Sequence, residues 1–65
     1  MKNIDLPNSE IERRISENIH SERDRRIMHL RLIDGLTYER IAEAVEMSAV
    51  QIKRIVQRGT LAIQN

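Results

Sequence analysis

Sixty-five residues make room for one domain, and a 40% hydrophobic content is too apolar for a disordered chain. The absence of cysteine excludes a disulfide framework and a thiolate metal site. Net charge is only +1, but it is unevenly laid out: all 10 acids precede Ser48, while Lys53, Arg54 and Arg58 follow it with no acid among them.

Residues 1–8 read as an N-terminal arm, and 9–65 as a single four-helix domain. Met1 to Pro7 lack the unbroken apolar stretch of a secretory leader. No later segment has the length of a membrane-spanning helix, so a cytoplasmic protein without membrane contact is expected. The first helix is expected to begin at Asn8 or Ser9, where Ser9-Glu10-Ile11-Glu12 spells a capping box. Ile11, Ile15 and Ile19 recur every four residues as one apolar stripe.

Ser21 caps the second helix, with Asp24 at the reciprocal position and acids in the first turn that favour its dipole. Ile27, Met28, Leu30, Leu32 and Ile33 cover more than one stripe, the mark of a central helix packed from both sides. Gly35 supplies its left-handed stop. Thr37 caps a short third helix in which Tyr38, Ile41, Ala42 and Val45 share a face, while Glu39, Arg40 and Glu43 point away. Ser48 opens the fourth helix, and Gln51 completes a second capping box. Ile52, Ile55, Val56, Gly59 and Ile63 lie along one stripe, so the helix is expected to run through Gly59. The roughly 1 kcal/mol that glycine costs there in helix propensity is expected to be offset by close approach of another helix backbone. A helix end at Gly59 is the alternative.

Two capped helices joined by the short Val45-Glu46-Met47-Ser48 connection have the spacing of a helix-turn-helix over about 37–58. The face of the second helix opposite its stripe, within about 49–63, carries Val50, Gln51, Lys53, Arg54, Gln57 and Arg58. These chemistries suit the major groove: Gln pairs with adenine, Arg or Lys with guanine, and Val meets a thymine methyl. Val50, Gln51 and Arg54, near the start of the helix, are the expected base readers. Lys53, Gln57 and Arg58 are expected on phosphates, which fix position without carrying sequence information. Thr37, Arg40 and the free amides opening the third helix also suit a phosphate, and Ser48 is a further expected DNA-binding residue. Tyr38 is the one aromatic residue; it packs at the core edge with its hydroxyl in reach of a phosphate. A lone tyrosine makes a poor stacking platform, so duplex DNA is favoured over RNA or single strands.

The run Leu30-Arg31-Leu32-Ile33-Asp34-Gly35-Leu36-Thr37-Tyr38-Glu39-Arg40-Ile41-Ala42, with Gln51-Ile52-Lys53 further on, resembles region 4 of bacterial sigma factors. The likeness extends from Ser21 through Arg58. It implies an all-α, sigma-region-4-like domain that binds the −35 promoter element and contacts RNA polymerase. The chain departs from the family at Glu46, where glycine is usual, and at Ile55, where a basic residue is common. It also has no room for the region that binds the −10 element. A stand-alone, phage-type or accessory small regulator is therefore the expected member.

Catalysis is not expected: no glycine-rich phosphate loop or paired catalytic carboxylate appears, and Ser9, Ser21 and Ser48 each read as helix caps. No metal or other cofactor is expected, since His20 and His29 stand apart from any ligand cluster. A homodimer is expected, placing two reading helices about 34–36 Å apart, with Met28, Leu32 and Leu61 as a candidate self-association surface. The rival reading is a protein-interaction module that binds polymerase or another regulator, with the basic helix incidental.

Overall fold

The computed structural model describes residues 6–64; residues 1–5, the greater part of the expected arm, lie outside the described residues, as does Asn65. Four helices follow one another: α1 (Asn8–Asn18), α2 (Glu22–Leu32), α3 (Tyr38–Val45) and α4 (Ala49–Gln64). Helices α2 and α4 each pack against the other three, and α1 and α3 flank them. The protein is all-α with a helix-turn-helix formed by α3 and α4, as its apolar periodicities predict.

The start of α1 differs from expectation in its cap. Pro7, extended at φ −63° and ψ 155°, flanks the helix, and its carbonyl accepts from the Glu10 and Ile11 amides at 3.0 and 3.1 Å. Ser9 is therefore already inside the first turn, where its hydroxyl has no cap to make, and the Ser9–Glu12 box does not form. Proline's fixed φ and missing N–H suit it to a helix entry, which moves the boundary one residue ahead of the serine. Leu6, from the arm, packs half-buried against the core.

Ile11, Ile15 and Ile19 are all buried, so the every-fourth stripe seals one side of the core. The α1 helix ends at Asn18, yet Ile19 stays in the core because the Arg25 guanidinium donates to its carbonyl at 2.8 Å and holds the turn. Arg14 reaches across to α4 and donates to the Ile63 carbonyl at 2.9 Å, satisfying an acceptor in the last turn. The same arginine pairs with Glu10, which Arg13 also engages. Hydrogen bonds from Arg13 first, then from Arg14, hold the Glu10 carboxyl below the usual carboxylate range.

The central role of α2 is borne out: Ile27 and Met28 are fully buried, with Leu30, Leu32 and Ile33 half-buried beside them. Ser21 caps it by accepting from the Asp24 amide at 3.3 Å. Gly35 ends it at φ +74°, and the Leu36 amide turns back onto the Leu30 carbonyl at 3.0 Å. Met28 cannot serve the self-association surface expected of it. It lies wholly inside, filling the space over Gly59.

The α4 helix does run through Gly59, but the approach that requires glycine is a side chain rather than a backbone. A Cβ at Gly59 would stand 2.8 Å from the Met28 Cε and nearer still to its sulfur. A second conformational constraint sits between α3 and α4, where Glu46 occupies the left-handed region at φ 59° and ψ 48°. An L-residue pays roughly 1–2 kcal/mol for that conformation.

Two stability measurements follow. Gly59→Ala should destabilise by about 1 kcal/mol in urea titration, because overpacking against Met28 at about 1–3 kcal/mol outweighs the propensity gain of about 1 kcal/mol. In a Met28→Ala background the same substitution should become stabilising; destabilisation of equal size in both backgrounds would refute the contact as the cause. Glu46→Gly should raise stability by about 0.5–1 kcal/mol, the relieved strain being partly offset by the added freedom of the unfolded chain, and a loss of stability would show that the turn is unstrained.

Candidate nucleic-acid interface

Two local devices fix the start of α3. The Thr37 hydroxyl caps α3 by accepting from the Arg40 amide at 3.1 Å. Behind it, the Arg31 guanidinium lies 4.4 Å from the centroid of the Tyr38 ring and donates to the Leu36 carbonyl at 2.9 Å. One arginine of α2 thus grips both the approach to α3 and its first residue. Nothing in the sequence marks this pairing, because Arg31 and Tyr38 belong to different elements separated by a turn.

At the other end of α3 the chain reverses through Glu46, with the Met47 amide donating to the Ala42 carbonyl at 3.0 Å. Ile41 and Ala42 of α3 and Ile52, Ile55 and Val56 of α4 are buried in the shared core. Val45, Met47 and Ala49 close its edge. Ile55, the position where a basic residue is common in the resembled family, is only 5% exposed and is a core residue in this chain.

Burial of the Ile52, Ile55, Val56, Gly59 and Ile63 stripe fixes which residues α4 turns outward. At 3.6 residues per turn, Val50, Arg54, Gln57 and Leu61 run along the middle of the opposite face. Lys53 lies on one flank of that line, Gln51 and Arg58 on the other. All seven are exposed; Val50 and Leu61 are the exposed large apolar residues among those described, at 63% and 66%. Ser48, Thr37 and Arg40 are exposed along the same helix-turn-helix, and Tyr38 is half-buried beneath Arg31.

The polar side chains of this face are not equally free. Gln51 is engaged with Ser48: the Ser48 amide donates to the Gln51 Oε1, and the Gln51 amide to the Ser48 Oγ, each at 3.2 Å. By contrast, among the described residues no ion pair or hydrogen bond engages the charged groups of Arg40, Lys53, Arg54 or Arg58. The arginines of α1 are matched by Glu10 and Glu17, so their charge is locally compensated. The α4 helix carries no acid to compensate its own. The result is a convex, cation-bearing ridge with a valine near its leading end, suited to a concave polyanion. A shallow open groove also lies between α1 and α2, lined by Glu12, Ile15, Ser16, Arg25, Arg26 and His29. It is remote from α4 in the chain, and its mixed charge matches no single ligand class.

The family described as Sigma-70, region 4 matches this chain over residues 21–65, which takes in α2, the turn at Gly35 and the whole helix-turn-helix. No curated protein and no solved structure matches it. The geometry of α3 and α4 and the extent of this match agree: the chain belongs to the sigma-70 region 4 family of DNA-binding helix-turn-helix domains.

Proposed function

We propose that the protein is a sequence-specific transcriptional regulator that lays α4 in the major groove of duplex DNA and rests the start of α3 on the backbone. The observation that carries this reading is the outward face of α4, where Arg54 stands exposed and uncompensated in the middle line of groove-sized side chains and Lys53 and Arg58 stand so on its flanks. Arg54 is placed to contact guanine at O6 and N7, and Val50 to meet a thymine methyl. Lys53, Gln57 and Arg58 reach phosphates on either side of the groove. Thr37, Arg40, the Tyr38 hydroxyl and the opening amides of α3 hold a phosphate on the other helix, and Ser48 lies at the entrance to α4.

Membership of the sigma region 4 family supports an association with RNA polymerase. A homodimer would be read from the DNA it selects: an inverted repeat requires two copies. Leu61, exposed at the far end of the reading face, is the one member of the expected self-association surface that is well exposed; Leu32 is half-buried.

Selection of bound duplexes from a random pool, followed by fluorescence anisotropy across a salt series, tests the proposal. A defined motif should be enriched, and log affinity should fall against log salt with a slope of about −3, as expected for three or four neutralised phosphates. Arg54→Ala should cost about 1–3 kcal/mol on that motif and relax preference at one base pair. Lys53→Ala should weaken all duplexes alike and flatten the slope by about 1. Weak binding with no enriched motif would overturn the autonomous reader and favour the protein-interaction module.

A further inference from the structure

Gln51 stands one residue from the leading edge of the reading face, and its carboxamide has the donor and acceptor that a bidentate contact with adenine needs. In the folded chain that acceptor is already occupied. Gln51 Oε1 receives the Ser48 amide at 3.2 Å, and the Ser48 hydroxyl lies 3.3 Å from the same oxygen with its proton available to it. A carboxamide oxygen has two lone pairs, so these two donors fill it. The Ser48 Oγ accepts from the Gln51 amide in return, closing the box. Adenine readout requires Oε1 to accept from N6 while the amide nitrogen donates to N7, so the closed box and that contact exclude each other.

Position on the helix agrees with the hydrogen bonding. Val50 and Arg54 lie on the mid-line of the exposed face, whereas Gln51 lies at its margin, beside the buried stripe through Ile52 and Ile55. The Met47 amide on the Ala42 carbonyl and the Ser48 hydroxyl on the Gln51 amide already steady the entrance to α4, and the Gln51 carboxamide closes the box by holding the Ser48 amide. The connection from α3 passes through left-handed Glu46, and Ala49 follows the serine.

Resting on the DNA-reading proposal, we infer that Gln51 is a positioning residue: locked to Ser48, it sets the first turn of α4 so that Val50 and Arg54 carry the base selectivity. Its amide nitrogen is left to donate to a backbone phosphate at the groove edge. The cap and the reading face are then parts of one rigid turn, and the expected cost of losing the cap is spread over every DNA sequence.

The test compares Gln51→Ala and Gln51→Glu with the wild type and with Arg54→Ala, using duplex selection, anisotropy and amide hydrogen exchange. Gln51→Ala should weaken selected and mismatched duplexes by the same factor, about two- to tenfold on the scale of a lost cap, and leave the enriched motif unchanged. The Ser48 amide should exchange faster in Gln51→Ala and return to wild-type protection in Gln51→Glu, which rebuilds the box with a carboxylate. Arg54→Ala should instead alter preference at one base pair without changing Ser48 exchange. A change of base preference in Gln51→Ala, confined to one position, would overturn the inference, as would unchanged Ser48 protection in that variant. A wild type that selects no motif would sink the DNA-reading proposal instead, and the exchange measurement, which needs no DNA, would still decide whether Gln51 locks the turn.

Discussion

Helix α4 has two incompatible demands placed on it. One side must be buried deeply enough to hold a small domain together, and the other must stand clear of everything else in the molecule. The contact that reconciles them is the seating of α2 on α4 where the Met28 side chain lies over Gly59. Methionine is unbranched and adaptable, so it fills the space that the absent side chain leaves. Because glycine is tolerated there without ending the helix, α4 continues for 16 residues and keeps a single outward face from Val50 to Leu61. A side chain at that site would have to displace the buried end of Met28.

The cations divide by environment rather than by number. Arg14, Arg25 and Arg31 each donate to a carbonyl outside their own helix and so join parts of the scaffold, while Arg13 pairs with Glu10 and Glu17 within α1. Arg26 on α2 and Arg40, Lys53, Arg54 and Arg58 on the helix-turn-helix have no such ties of their side chains among the described residues. Exposed ion pairs on α1 contribute little to stability, since water and salt screen them. The uncompensated set has its effect outside the molecule, on the potential that a polyanion meets. A net charge of +1 conceals this division.

Much of this was legible in the chain itself, for a physical reason. Apolar residues at helical spacing report which face is buried, and the stripes through Ile11, Ile15 and Ile19 and through Ile52, Ile55, Val56, Gly59 and Ile63 became core as expected. Ser21, Thr37 and Ser48 act as caps because capping depends on neighbours within one turn. What depended on residues distant in sequence was not legible. The Met28 contact with Gly59, the Arg31 stack on Tyr38 and the Arg14 bond to Ile63 each join separate elements. Pro7 stands at the start of α1 in place of Ser9, its fixed φ and missing N–H being compatible with a helix entry. Gln51 was ambiguous in sequence for another reason: the same carboxamide suits a cap and a base.

The bond from Arg14 to the Ile63 carbonyl spans 49 positions of the chain. It ties the first helix to the final turn of the last one, so this part of the fold closes by a long-range contact rather than a local one. During synthesis α1 is made first but has to wait for α4 before Ile11 and Ile15 are fully covered. Contacts of this kind slow folding, because the loop must close before the contact rewards it. The same bond makes α1 and the last turn of α4 depend on each other, since fraying of that turn would remove the acceptor that Arg14 holds.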